Sequence, residues 1–425
     1  MEEKQMICLL NDSFPPLIDG VANTVMNYAR NLQGGPYDPL VITPAHPAAD
    51  DGKYPYSIAR YPSIQAQRFE GYPAGIPFSP ELARNVADRK VAVLHTHCPI
   101  MSTFMARQLR QITDAPIVLT YHTKFDIDID HVVKSKPMQL AAKKVLAANI
   151  SACDEVWAVS HGAGENLRTL GYEGDYIVMP NGVDLPCERV PEDRIAEVTG
   201  GYDLPQEVPV YLFVGRMMWY KGLRIVIDAL AKLKAQGQDF RMVFIGDGDN
   251  RAEIEAYAAQ CGLSGRCIFT GAIRDREKLR AWYSRAGLFL FPSTYDTNGL
   301  VVREAAACSV ASVLIRGSCA AEGVTDGRNG FLIEENADSL SACLSSLTAE
   351  KMQEVGQAAS RELYISWETA VKSAVDRYEI VMDRYKSGNC PQHRKPMESF
   401  MKANGELMEA LGRLSALQHE LHRRQ

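Results

Sequence analysis

The sequence predicts an α/β protein of two doubly wound, mostly parallel sheets, with additional helices at its C-terminal end. Three observations predict it. Short apolar runs alternate with amphipathic helical stretches through the first half of the chain, a turn-rich connector interrupts them, and the same alternation restarts beyond it. The length of 425 residues is too great for one ordinary core and fits two domains with additions.

Residues 6–10 read as the first strand and 20–33 as the helix after it. Further strands are expected at 40–43, 91–95, 117–121, 156–159 and 177–179, compact apolar runs of the kind that strands buried on both faces require. Ser79-Pro80-Glu81 carries the cap, the first-turn proline and the acidic residue of a helix start. Ser160-His161-Gly162 marks the passage from a strand into another helix. The connector runs from Pro180 to about Pro209. Beyond it, strands are expected at 210–214, 241–245, 267–270, 288–291 and 312–315, with helices near 223–235, 251–261, 276–285 and 300–308. Residues 367–386 read as one long helix and 387–396 as a basic, polar break. A last helix over 400–424 carries Met401, Leu407, Leu411, Leu414, Leu417 and Leu421, a stripe that suits packing or a homodimer face better than a membrane anchor. The two halves share architecture without a visible sequence repeat, which argues against a solenoid. The expected division is an N-terminal Rossmann-like domain over 1–186, a linker over 187–208 and a C-terminal Rossmann-like domain over 209–365. A helix over 366–386 then crosses back to the first domain, and a helical tail over 387–425 follows.

Composition narrows the function classes. Hydrophobic residues at 46% and charged residues at 23% suit a soluble globular chain. A formal net charge of −6 argues against a nucleic-acid partner, which would favour a basic surface. The 10 cysteines form no Cys-x-x-Cys pair, so neither a zinc knuckle nor a thioredoxin-like motif is visible. Acidic residues precede the first short apolar run, unlike a secretion signal, and no run reaches the ~20 apolar residues of a membrane span. The expectation is a cytoplasmic chain with reduced thiols, attachment to the cytoplasmic membrane face remaining open.

In open α/β sheets ligands bind beyond the carboxyl ends of the strands, so the residues after each strand carry the functional reading. Val214-Gly215-Arg216-Met217-Met218-Trp219-Tyr220-Lys221-Gly222 leaves the first strand of the second half. Gly215 permits close backbone approach, and Arg216 and Lys221 bring two cations to the strand end, where they would stabilise a departing diphosphate. By residue type alone the pair fits a solvated turn equally well. Met217, Met218 and Trp219 suit packing and gating. Phe291-Pro292-Ser293-Thr294-Tyr295-Asp296-Thr297-Asn298-Gly299-Leu300-Val301-Val302-Arg303-Glu304 runs from strand through loop to helix. Asn298-Gly299 can turn the loop so that the helix N-terminus offers N–H groups to phosphate oxygens, and Asp296 and Glu304 can accept from sugar hydroxyls. An ordinary surface aspartate and an N-terminal helix charge are the plainer alternative.

These two segments, in this order, resemble the retaining glycosyltransferases of family four, the glycosyl transferases group 1, which have the GT-B fold. The resemblance spans about residues 5–386 and implies two Rossmann-like domains facing a cleft. It matches Gly215, Arg216, Lys221 and Gly222 to the family's grip on the donor diphosphate, and Asp296 and Glu304 to its Glu-x7-Glu motif, the first acid one methylene short. Glu304 would then bind the donor ribose and Asp296 the transferred sugar, with Gly299, Leu300 and Val301 meeting the diphosphate. In the first half, Phe14-Pro15-Pro16-Leu17-Ile18-Asp19-Gly20-Val21 resembles the family's glycine loop, with Gly20 the matching glycine and Asp19 in place of a second one. His122 matches the family histidine beside the sugar. Val178-Met179-Pro180-Asn181-Gly182-Val183-Asp184 resembles the family's segment before the linker, and Ser366-Trp367-Glu368 the start of its terminal helix. Ser309 and Ala311 replace a glycine and a proline common after the Glu304 helix, which removes a helix-ending device.

The implied activity is transfer of a hexose from a nucleotide-sugar donor with retention of configuration. Arg216, Lys221, His122 and Asp296 are the catalytic set. Gly20, Gly215, Gly299, Leu300, Val301 and Glu304 bind the donor, and His97 and Asp126 lie on the acceptor side. His95 and His161 also sit at strand ends, where histidines are more often structural hydrogen-bonding groups. Asp126, Asp128, Asp130 and His131 invite a metal reading, yet in this fold two cations and a helix N-terminus stand in for a metal, so no cofactor and no metal are expected. The wording of the His122 and Asp296 motifs is similar to that of bacterial diacylglycerol glucosyltransferases, which implies UDP-glucose as donor and a lipid acceptor. Polysaccharide intermediates and small metabolites are other family acceptors. Residues 131–150 mix lysines with apolar residues in a basic amphipathic pattern, suited either to anionic lipid or to packing on its own domain. A sugar-nucleotide epimerase and a non-catalytic donor-binding scaffold are the rival classes.

Overall fold

The computed structural model describes residues 4–65, 73–390 and 398–423. The chain falls into two compact units: Asn181–Ser366 form one, and the described residues up to Pro180 together with those from Trp367 onward form the other. The first unit begins β1 (Gln5–Leu10), α1 (Gly20–Leu32), β2 (Tyr37–Pro44), β3 (Ser57–Tyr61), α2 (Pro80–Ala87), β4 (Val91–Thr96) and α3 (Met101–Thr113). It continues through β5 (Ile117–Tyr121), α4 (Phe125–Val132), α5 (Lys136–Ser151), β6 (Glu155–Ala158), α6 (His161–Thr169) and β7 (Ile177–Val178). The strands pair in parallel in the order β3-β2-β1-β4-β5-β6-β7. Ile7, Cys8, Leu9 and Leu10 are all fully buried, because helices cover both faces of a parallel sheet. Ser79 caps α2 through the Leu82 amide and Ser160 caps α6 through that of Ala163, as their sequence signals require.

Two features of this unit differ from the sequence reading. The strand β3 is an edge strand on β2 whose charged and half-buried residues give no continuous apolar run. The expected helix over 131–150 is two helices, α4 and α5, broken at 133–135 just ahead of Pro137, which is exposed in the first turn of α5.

The second unit contains α7 (Glu192–Thr199), β8 (Val210–Val214), α8 (Leu223–Ala235), β9 (Arg241–Ile245), α9 (Arg251–Gln260), β10 (Cys267–Gly271) and α10 (Arg276–Arg285). Then come β11 (Leu288–Phe291), α11 (Leu300–Ala307), β12 (Ala311–Ile315), β13 (Phe331–Ile333), α12 (Ala337–Ser346) and α13 (Ala349–Leu363). Its parallel strands run β10-β9-β8-β11-β12-β13. The order reverses between β8 and β11, the position where doubly wound sheets open a crevice for ligands. The stretch read as connector holds α7, whose Ile195 packs with Val190 and with Ala281 of α10. The departure at Ser309 is resolved by the backbone. Ser309 adopts the left-handed conformation, φ 57°, its amide bonds to Ala306 O and the Val310 amide to Ala305 O. The helix therefore ends in the usual double turn with serine in the glycine position.

Two helices return the chain to the first unit: α14 (Trp367–Lys386) and α15 (Glu398–Arg423). Glu155 on β6 anchors α14, accepting from Arg377 Nε at 2.8 Å and Nη2 at 2.6 Å, Arg384 Nη1 at 3.0 Å and Trp157 Nε1 at 2.6 Å. The predicted stripe on α15 divides. Met401 is buried with Met408, while Leu407 and Leu411 are exposed alongside Phe400. A Cβ at Gly405 would meet Gln108 O at 2.9 Å, so this glycine is where the helix closes on α3. The side chains of Leu414, Leu417 and Leu421 and most of the basic break lie outside the described residues.

Candidate active site

The β8 and β11 loops meet at the strand-order reversal of the second unit. After β8 the chain turns through a short 3-10 segment, Trp219–Lys221, into Gly222 at φ 77°. A Cβ at Gly222 would sit 2.1 Å from Pro292 O, so only glycine lets the two loops touch. That contact brings together side chains 75 residues apart: Lys221 Nζ donates to Asp296 Oδ1 at 2.7 Å. Lys221 is 7% exposed, and the other oxygen of Asp296 accepts from Ser293 Oγ at 2.5 Å. The pair borders a cavity of about 180 Å³ that Gly215, Gly299, Leu300 and Val301 also line.

Gly299 is left-handed at φ 57° and precedes α11, and a Cβ there would meet Ala320 at 3.0 Å. The first amides of α11 follow it, and such amides have no acceptor inside their own helix. Further along α11, Glu304 is engaged within the unit. Arg276 Nη2 donates to it at 2.8 Å and Tyr283 Oη at 3.1 Å. Burial works against the Arg276 charge, but the Glu304 carboxylate outweighs it and holds the guanidinium above its ordinary value. Arg216 behaves differently from Lys221. It is exposed, makes no ion pair or side-chain hydrogen bond among the described residues, and is not among the residues lining the cavity. Its neighbour Met217 is buried at 1% exposure, in a tight turn closed by the Met218 amide donating to Arg216 O at 2.9 Å. Met217 thus packs in the core, while Trp219 packs edge-on against Tyr257.

The histidines form a cluster of their own in the first unit. β4 and β5 are paired neighbours, and His97 and His122 follow their ends, with His97 Nδ1 3.0 Å from His122 Nε2. His95 is held between Tyr378 Oη at 2.5 Å and Thr120 Oγ1 at 2.7 Å. His97 is 1% exposed and its Nε2 has no partner among the described residues. Burial pushes all three imidazoles down, His122 to about 3 and the other two well below the ordinary range. Unfolded histidines take up protons near pH ~6.5, so between that pH and the lowered folded values the unfolded chain binds more protons. Stability is therefore expected to fall as pH drops below about 6.5, by up to about 1.4 kcal/mol per pH unit for each histidine. The imidazole resonances of His95, His97 and His122 in the folded protein should stay unshifted between about pH 8 and pH 5, and titration of His122 near neutrality would contradict this.

Other expected site residues have local duties. Asp126 accepts from Asn166 Nδ2 at 2.9 Å and Thr169 Oγ1 at 3.4 Å, both on α6. Asp130 pairs with Lys143 at 2.8 Å, and the side chains of Asp128 and His131 lie outside the described residues. His161 opens α6 and is exposed. Gly20 is the first residue of α1, with nothing within 4 Å of an added Cβ. Asp19, in place of the second glycine, caps that helix by accepting from the Ala22 amide at 2.7 Å. Ser293, Arg276 and Tyr283 were not singled out by sequence, since nothing in their spacing ties them to Asp296 or Glu304.

Two family models match the chain. The model of Glycosyltransferase Family 4 covers residues 18–186, and that of Glycosyl transferases group 1 covers residues 197–361. The chain belongs to the group 1 glycosyltransferases. As a glycosyltransferase it is 25% identical over 335 residues to the GDP-mannose-dependent alpha-mannosyltransferase of Corynebacterium glutamicum, covering 77% of this chain and 76% of the relative. It is 23% identical over 344 residues to the alpha-monoglucosyldiacylglycerol synthase of Acholeplasma laidlawii, covering 78% of this chain and 85% of the relative. In fold it is similar to the sucrose-phosphate synthase of Thermosynechococcus elongatus, with TM-score 0.70 and 21% identity over 89% of this chain and 100% of that one. Family and fold together make this glycosyltransferase a nucleotide-sugar-dependent hexosyltransferase of GT-B type. Among its described residues no helix is long and apolar enough to cross a membrane, and no group of three or more His, Cys, Asp or Glu side chains is placed to hold a metal.

Proposed function

We propose that this glycosyltransferase moves glucose from UDP-glucose onto a lipid acceptor, diacylglycerol in the first instance, with retention of configuration and without a metal ion. The observation that carries the reading is the buried Lys221–Asp296 pair beside the first amides of α11, on the wall of one cavity. A leaving diphosphate gains negative charge as the sugar bond breaks, so a fixed ammonium and helix amides stabilise the transition state more than the ground state. They supply the positive potential a divalent cation would otherwise bring. Arg216 is the second cation for the phosphates, and Glu304 meets the ribose hydroxyls. Both oxygens of Asp296 are engaged, by Lys221 and Ser293, which makes it a poor covalent nucleophile. This favours departure and attack on one face of the sugar, the leaving phosphate accepting the proton of the incoming hydroxyl.

The lipid acceptor is supported by α5 and by the glucolipid-forming relative from Acholeplasma laidlawii. Met138, Leu140 and Val145 on α5 are 64%, 56% and 52% exposed, beside exposed Lys136 and Lys144. Apolar side chains interleaved with lysines suit an anionic membrane surface on the cytoplasmic side. The protein should co-sediment with vesicles containing phosphatidylglycerol, and reversing Lys136 and Lys144 to glutamate should lower partitioning by at least about tenfold. Equal partitioning of both proteins would remove the membrane reading. The mannosyltransferase from Corynebacterium glutamicum makes GDP-mannose the second donor to test.

The deciding assay incubates the protein, in EDTA, with UDP-glucose or GDP-mannose, with and without diacylglycerol vesicles, and measures free nucleotide and glycosylated lipid. Acceptor-dependent release of UDP with an α-linked glucolipid is expected. Isomerised donor without an acceptor would indicate an epimerase, and binding without turnover a scaffold.

A further inference from the structure

We infer that Asn298 reads the hydroxyl groups of the transferred sugar, and so sets which hexose the donor site accepts. The inference rests on the donor-site reading above. Asn298 lies in the β11–α11 loop, two residues after Asp296, and lines the same cavity as Lys221 and Asp296. Both polar atoms of its carboxamide, Oδ1 and Nδ2, are enclosed and have no hydrogen-bond partner among the described residues. An enclosed amide is ordinarily hydrogen-bonded, because leaving it bare forfeits the bonds it made to water. The other polar groups of this wall are already matched, Lys221 to Asp296 and Asp296 to Ser293. Nor does the carboxamide serve the fold as a cap, since Gly299 holds the capping position of α11 and no side chain caps that helix.

The chemistry of the orphaned group points to its ligand. Nδ2 can only donate and Oδ1 can only accept, so the matching ligand must both accept and donate in one place. A diphosphate accepts but cannot donate, and would leave Oδ1 bare. Neighbouring hydroxyls of a hexose do both, one taking a bond from Nδ2 and the other giving one to Oδ1. Asp296, two residues away, has one bond on each oxygen, to Lys221 and Ser293, and can only accept, whereas the Asn298 carboxamide can both donate and accept.

The test is titration calorimetry of wild type, Asn298→Ala and Asn298→Leu with UDP, UDP-glucose, GDP and GDP-mannose. For the nucleotide pair that binds, both variants are expected to weaken the nucleotide sugar on the order of tenfold, the scale of a lost hydrogen bond. They should leave the nucleoside diphosphate at its wild-type affinity, which also shows that the site is folded. Unchanged affinity for the nucleotide sugar would overturn the inference while leaving the donor site intact. Equal loss for nucleoside diphosphate and nucleotide sugar would overturn it by assigning Asn298 to the nucleotide. Failure of wild type to bind any of the four would instead overturn the donor-site reading on which it stands.

Discussion

Replacing Lys221 by alanine is expected to lower turnover by about 10²-fold or more, the scale for losing a key charge-stabilising group at a reacting centre. Lys221 is 7% exposed and its ammonium is bonded to Asp296 at 2.7 Å, so its position is set before any substrate arrives. A charge held in place by the protein spends no energy on reorganisation as charge develops on the leaving phosphate. Its loss has a second effect, because Asp296 would keep only the Ser293 hydroxyl as partner. Arg216→Ala separates the two effects. Arg216 is exposed and unpaired among the described residues, so its removal should leave thermal stability unchanged. Any fall in turnover then reports lost positive charge alone, and a fall of similar size is expected if the guanidinium reaches the phosphates. Initial rates at saturating nucleotide sugar, with melting curves for each variant, make the comparison. Near-native rates from both variants would remove these cations from the mechanism.

The distance between what sequence and structure reveal follows from where each kind of information resides. The strands β1, β2 and β4 to β12 were legible because parallel strands buried on both faces are rich in apolar residues. The edge strand β3 and the three-residue β13 escaped, one through its charged residues and the other through its shortness. The split between α4 and α5 hides in a lysine-rich stretch that keeps helical periodicity across the break. In the site, Lys221 and Asp296 could be placed at strand ends from sequence, since ligands gather there. Their bond to each other could not, because it depends on Gly222 bringing two loops into contact. The exposure of Arg216 beside a buried Met217 likewise depends on the turn between them, and the vacant carboxamide of Asn298 on the side chains around it. Sequence spacing carries neither.

The largest expected loss of stability comes from a residue of the first unit, on β6. Glu155→Ala should destabilise the first unit by about 2–3 kcal/mol, somewhat below the ~3–5 kcal/mol typical of breaking a buried ion pair. The Glu155 side chain is 8% exposed, but those of Arg377 and Arg384 are 24% and 36% exposed, so water recovers part of what they lose. For a unit of this size that corresponds to a fall in melting temperature of roughly 5–10 °C. The same substitution leaves the indole N–H of Trp157 without its acceptor in the core. Arg377→Ala should cost less, because Arg384 and Trp157 still satisfy the carboxylate. This ordering separates the polar clamp from simple packing, since α14 also buries Val371, Ala374, Tyr378 and Val381. If the melting temperatures of the Glu155 and Arg377 variants both match wild type, those apolar contacts hold α14 unaided and the clamp contributes nothing. If Glu155→Ala falls and Arg377→Ala follows at a smaller distance, the buried carboxylate fixes where the chain re-enters the first unit after Ser366.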